Sequence, residues 1–218
     1  MRTQYDEELK KLNLELKKMS HLVENALEDT IKAFKTQDKD LAMTIINQDR
    51  LVNDIERSIE SRSFGLILKQ QPIASDLRDV TAALKVVTDL ERIGDQAADI
   101  AEIIISFKEE HLYHSLEHIP AMAKQTIVMV NEAIDAFVHK DLSKAIEVKK
   151  MDDMIDELFT LVKQDIVSIV KEDHQQADLC IDFLMIAKYF ERIGDHAVNI
   201  CEWLEYNQKG TVNEQRLI

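Results

Sequence analysis

Glycine and proline are scarce: four and two among 218 residues, far below average usage of about 7% and 5%. A chain with so few turn-formers cannot make the many tight turns of a β-rich fold, so a few long helices are expected. Long apolar runs are missing too. The longest, such as 103–105 and 183–187, are a handful of residues, against the roughly 20 a membrane helix needs, so no membrane insertion is expected. The only cysteines, Cys180 and Cys201, have no CxxC spacing and make no disulfide framework, so both read as reduced core residues. The opening MRTQYDEELKK is charged and lacks an apolar h-region, so no signal peptide is expected and the protein reads as cytoplasmic. No Gly-rich phosphate loop, nucleophile elbow or HExxH is present, which leaves no recognisable machinery for an enzyme. Positive charge is also short: 27 Lys and Arg against 41 Asp and Glu, a net charge of −14. The excess is spread over both halves. Such a surface repels phosphate backbones, which argues against nucleic acid, and suits cations or a partner with a basic patch.

What the chain does have is an internal duplication. ERIGDQAADIAE at 91–102 returns as ERIGDHAVNICE at 191–202. Upstream, Phe34 matches Phe137, Ala42 matches Ala145, Asp49 matches Asp152, Asn53 matches Asp156 and Ile55 matches Leu158, at an offset three residues longer. That difference falls near Pro72. Chance similarity does not keep register over so many positions, so the chain is two copies of one unit, 1–110 and 111–218.

Each copy reads as three helices, at about 4–36, 39–69 and 73–107, then 116–139, 142–172 and 176–207. Asp38 and Asp141 are placed to cap the middle helices. Val86, Leu90, Ile93, Ala97, Ile100 and Ile104 form a seam on the third helix, which Ile186, Phe190, Ile193, Ala197, Ile200 and Leu204 repeat on the sixth. Ile45, Gln48, Val52, Ile55 and Ile59 do the same on the second, echoed on the fifth. Spacing near 3.5 is that of antiparallel bundles. The expected fold is therefore all-α: two tandem, pseudo-symmetric three-helix bundles.

The duplicated segments carry carboxylates one turn apart. At about 100° per residue, Glu91, Asp95 and Asp99 lie on the side of their helix away from the seam, and Glu191, Asp195 and Asn199 repeat them. Asp49 with Asn53, and Asp152 with Asp156, flank the seam of the middle helices. Like charges at this spacing cost a helix roughly 0.2–0.5 kcal/mol a pair, and Gly94 and Gly194 cost about 1 kcal/mol each relative to Ala. Both penalties recur at the same point twice. A hard cation bridged by carboxylates offsets them, and glycine lets a ligand or a neighbouring helix approach. The bland reading is a solvated acidic face, with Arg92 neutralising Asp89 and Asp95 and Arg192 neutralising Asp195. The lack of histidine at equivalent positions favours oxygen-preferring ions, Fe, Mn, Mg or Ca. His111, His114 and His118 read as solvent-facing residues of the connection between copies. Trp203 reads as core or interface.

The doubled ERIGD-x-A motif, QPIASDLRDV at 71–80 and the opening MRTQYDEEL together resemble the PhoU family of phosphate-uptake regulators, over essentially the whole chain. The resemblance implies multinuclear metal clusters, iron or zinc with Mn or Mg as alternatives. One would sit on Asp49, Asn53, Glu91, Asp95 and Asp99, the other on Asp152, Asp156, Glu191, Asp195 and Asn199. Asn53 and Asn199 depart from the pattern, standing where a carboxylate would bind more strongly. The resemblance further implies a negative regulator of the phosphate-starvation response that couples a phosphate ABC transporter, through its ATPase subunit, to a sensor histidine kinase, and a homodimer. Arg78, which lacks a full counterpart in the second copy, is a candidate for partner contact or a helix-start ion pair. Two other readings stand beside it: a structural scaffold with an acidic docking face, and a carboxylate-bridged di-iron enzyme. The second normally needs a Glu-x-x-His pair aimed into the core, which this chain lacks.

Overall fold

A computed structural model describes residues 2–70, 72, 74–107, 118–212 and 215–216. Six helices dominate it: α1 (Arg2–Thr36), α2 (Lys39–Gln70), α3 (Ala74–Ser106), α4 (His118–His139), α5 (Leu142–Glu172) and α6 (Ala177–Lys209). Their ends fall within a few residues of those the periodicity sets. Two short elements were not expected: a 3-10 turn at His174–Gln176, and strands Thr211–Val212 and Gln215–Arg216 paired antiparallel. The boundary proposed at 110/111, with His111 and His114, lies outside the described residues.

The two inner turns are built alike. Gln37 and Lys140 take positive φ (51° and 55°), and each is followed by the capping aspartate. Asp38 Oδ1 accepts from the Leu41 amide at 2.9 Å, and Asp141 Oδ1 from the Lys144 amide at 3.0 Å. Each cap satisfies an otherwise orphaned helix donor. α1–α3 form one up-down-up bundle and α4–α6 the other, and α3 packs antiparallel on α6 to join them. All twelve seam residues of α3 and α6 are buried. On α2 the seam is narrower than expected: Gln48 is exposed and Ile55 half-buried. Burying a large apolar side chain is worth about 1.5–3 kcal/mol, and Phe34, Phe183, Phe190, Leu90 and Ile93 are all fully enclosed. Cys180 and Cys201 are buried free thiols, and burial pushes Cys201 up to about 12. Among the described residues no helix is long and apolar enough to cross a membrane.

Candidate functional site

The repeated motif lies where α3 crosses α2 and α6 crosses α5. A Cβ on Gly94 would sit 3.3 Å from Val52 Cγ1 and 3.4 Å from Asp49 Oδ1; on Gly194 it would meet Ile155 Cδ1 at 3.1 Å and Asp152 Oδ1 at 3.3 Å. Glycine therefore admits the neighbouring helix, and its missing side chain leaves the aspartate of that helix pressed against the crossing. This tight crossing is the local reason the two carboxylate rows share one crease.

In the first crease Asp49 and Glu56 from α2 meet Glu91 and Asp95 from α3. Burial, then the neighbouring Asp95 charge, raises the Asp49 carboxyl. Burial, then Asp95 and Glu56, pushes Glu91 up to about 7. Asp49 Oδ1 and Glu91 Oε2 are both buried without a hydrogen-bond partner. Arg92 Nε comes within 3.4 Å of that Glu91 oxygen but is mostly spent on Asp95, at 3.2 Å, and is itself half exposed. Asn53 donates to the other Asp49 oxygen at 2.7 Å. Negative charge here outweighs what the protein supplies to balance it.

The second crease repeats the arrangement with Asp152 and Asp156 from α5 and Glu191 and Asp195 from α6. Burial, then Asp156 and Asp195, lifts Asp152 to about 6; burial, then Glu191, raises Asp195. It differs in two respects. Where α2 has Glu56, α5 has Phe159, with Lys163 and Lys188 over its ring, and Lys188 pairs with Glu191 at 2.5 Å. Asp156 in turn stands where α2 has Asn53, so the second crease holds as many carboxylates as the first and gains a lysine of its own.

Two expectations need correction. The first row faces away from the seam but is not a solvated surface: the Glu91 side chain is 13% exposed and Asp95 34%; in the second crease Asp152 and Glu191 are half-buried while Asp156 and Asp195 are exposed. Asp99 and Asn199 also reach the α3–α6 interface, Asp99 while still near enough to Asp49 and Asp95 for their charges to act on one another. There Asn199 Nδ2 donates to Asp89 at 3.1 Å beside His196 Nδ1 at 2.8 Å, while Tyr189 donates to Asp99. These contacts are related by the pseudo-symmetry, Asp89 matching Tyr189 and Asp99 matching Asn199. Arg92 therefore does not neutralise Asp89, and Arg192 lies near enough to Asp99 to oppose its upward shift.

Outside the creases, His118 is not a free linker residue: it opens α4 and pairs with Asp165 at 2.5 Å. Trp203 packs edge-on to Tyr206 under Lys85. Arg78 Nε donates to the Asn207 carbonyl at 3.4 Å and lies beside Gly210, which ends α6 with φ 75°; it closes a helix end. Glu56 was not anticipated, although it stands seven residues after Asp49 and so shares its face.

The donor set suits a hard cation: carboxylate oxygens, partly desolvated, mutually repelling, with two buried oxygens left without a hydrogen bond. As they stand, no group of three His, Cys, Asp or Glu side chains among the described residues is arranged to hold a metal ion. Like carboxylates repel one another, and a bound cation would remove that repulsion.

Comparison with known proteins agrees with this architecture. The family model described as "PhoU domain" matches residues 16–104 and 119–204. A phosphate-specific transport system accessory protein PhoU homolog of Clostridium acetobutylicum is 37% identical over 199 residues, covering 91% of each chain. The Escherichia coli phosphate-specific transport system accessory protein PhoU is 34% identical over 210 residues, covering 95% of this chain and 86% of that one. The crystal structure of PhoU from Pseudomonas aeruginosa superposes with a TM-score of 0.88 at 32% identity, covering 95% of this chain and all of that one. The phosphate transport system regulatory protein PhoU from Streptococcus pneumoniae gives 0.88 at 30% identity, covering 96% and 99%.

Proposed function

This chain belongs to the PhoU family, is an accessory protein of the phosphate-specific transport system and so regulates phosphate uptake, and from that premise we propose that it does so as a metal-loaded, non-enzymatic adaptor. The observation that carries the metal is the pair of buried oxygens without a hydrogen bond, on Asp49 and Glu91, inside a crease of like charge. Asp49, Glu56, Glu91 and Asp95 would hold the ion in the first crease, and Asp152, Asp156, Glu191 and Asp195 in the second. A bound iron or zinc ion, with manganese or magnesium as alternatives, would supply the missing positive charge and lock α2 to α3 and α5 to α6. The chain's own part is to hold the carboxylates half-desolvated, so that a cation is bound more strongly than at a solvated face.

A locked crease presents a fixed surface to a partner, and coupling follows when one partner state prefers it. In the proposed role those partners are the ATPase subunit of the phosphate transporter and a sensor histidine kinase. Engaging them together restrains the phosphate-starvation response when phosphate is plentiful. The exposed apolar side chains Phe64 and Leu68 on α2 support a protein-facing surface, and a homodimer is part of this proposal.

The test is made in a host lacking its own copy of this gene. Expression of phosphate-uptake genes in phosphate-rich medium is measured with the wild-type chain and with an E91Q/D95N/E191Q/D195N variant. The proposal expects restraint by the wild type and derepression with the variant at equal protein level. Equal restraint by both would leave the creases as an acidic docking scaffold without a metal role.

A further inference from the structure

The pseudo-symmetry that relates the two repeats fails at one pole of the α3–α6 spine. At one end Phe34, Phe107 and Phe183 fill the junction, their rings 6.1 and 5.5 Å from Phe183. At the other end the matching positions are Phe137, Asn207 and Ala83. Two of three rings are gone, and a hollow of about 190 Å³ remains, bounded by α1, α3, α4 and the end of α6. An apolar cavity of about 150 Å³ is enough to take up benzene, so the space holds one substituted ring.

Its chemistry is that of a small-molecule site, apolar walls with a few placed polar groups. Leu9, Leu16, Ala83 and Phe137 make the walls. At the polar side Asp79 accepts from Lys140 Nζ at 2.9 Å and from Asn207 Nδ2 at 2.7 Å. Asp79 is therefore neutralised and held. Lys17 also lines the hollow and makes no ion pair among the described residues, which leaves one uncommitted positive charge at the rim. An adjoining hollow of about 230 Å³ shares Lys17 and Val138 with it, so a substituent can extend along the α1–α4 seam.

We propose that this pole is a binding site for a small aromatic anion, one ring carrying a carboxylate or phosphate. The ring takes the volume that Phe183 and Phe107 fill at the opposite pole, and the anion meets Lys17, the uncommitted cation at the rim. Because the walls come from both repeats, the ligand bridges them and adds to the stability of their junction by mass action.

Titration calorimetry of the full chain with phenyl phosphate and with benzoate tests this, using inorganic phosphate and benzylammonium as controls. Expected is saturable one-to-one binding of phenyl phosphate with a Kd of roughly 0.1–1 mM, and at least about tenfold weaker binding of both controls. Ala83→Phe, which installs the residue the other repeat already uses, should abolish binding while the helical spectrum is kept. Should that variant fail to fold, Lys17→Glu carries the test and should weaken phenyl phosphate about fivefold or more. Absence of saturable binding up to about 10 mM, inorganic phosphate binding as well as phenyl phosphate, or affinity unchanged by the substitutions would each overturn the proposal.

Discussion

Glu91→Gln removes the charge that the first crease tolerates least, and its effect can be worked through. Glu91 titrates at about 7 in the fold against 4.5 for the ordinary carboxyl. The folded protein therefore holds its proton more tightly than the unfolded chain does. Stability is at its full value below about pH 4.5 and falls as pH rises to about 7, beyond which both states are ionised. At about 1.4 kcal/mol per unit the loss has a ceiling of about 3 kcal/mol. The crease opens to solvent and Arg92 stands beside it, so screening brings this to roughly 1–2 kcal/mol. Glutamine keeps the shape and has no charge to desolvate. In chelator at pH 8, E91Q should melt about 2–8 °C above wild type, at roughly 2–4 °C per kcal/mol for a chain of this size. At pH 4.5 the difference should shrink to nearly nothing. With iron or manganese added, the order should reverse at pH 8, because only the wild type gains a ligand. Thermal melts by circular dichroism across pH 4.5–8 provide the assay. An E91Q protein that melts below wild type in chelator at pH 8 would refute the claim that Glu91 carries an unbalanced charge.

The remaining predictions concern the crossings, the interface and the caps. Gly194→Ala should destabilise more than Gly94→Ala, because its Cβ meets Ile155 Cδ1 at 3.1 Å rather than Val52 Cγ1 at 3.3 Å; the helix-propensity gain of about 1 kcal/mol should leave Gly94→Ala near neutral in urea denaturation, and the opposite order would contradict the tighter second crossing. Asp89→Ala strands His196 and Asn199 at the interface and should cost about 1–3 kcal/mol; a change under about 0.5 kcal/mol would show that this network does not join the repeats. Asp141→Ala, which removes the cap of α5, should cost about 1 kcal/mol, and Asp141→Asn should recover most of it in the same measurement.

Much of this architecture was legible because it is written twice. The seam residues of α3 and α6, the caps at Asp38 and Asp141 and the helix ends follow from local rules: period, capping chemistry and the scarcity of breakers. The carboxylate rows were visible for the same reason. Their burial was not, since an angle on a helical wheel says which way Glu91 points but not what covers it. The contacts of Asn199 with Asp89 and of Tyr189 with Asp99 also escaped, because both are set by how α3 lies on α6, a contact between repeats that no local pattern encodes. Lys188 and Phe159 show the converse. They stand in register with Thr88 and Glu56, so the inequality of the two creases was present in the sequence once the repeats were aligned position by position.

That the two creases are built to receive cations is tested most directly by metal content. Untagged protein purified without chelators and loaded anaerobically with iron is compared with an Asp95→Ala/Asp195→Ala variant, using plasma mass spectrometry. The account predicts metal retained by the wild type after gel filtration and lost from the variant. A wild-type protein that emerges metal-free, or a variant that retains as much as the wild type, would contradict it.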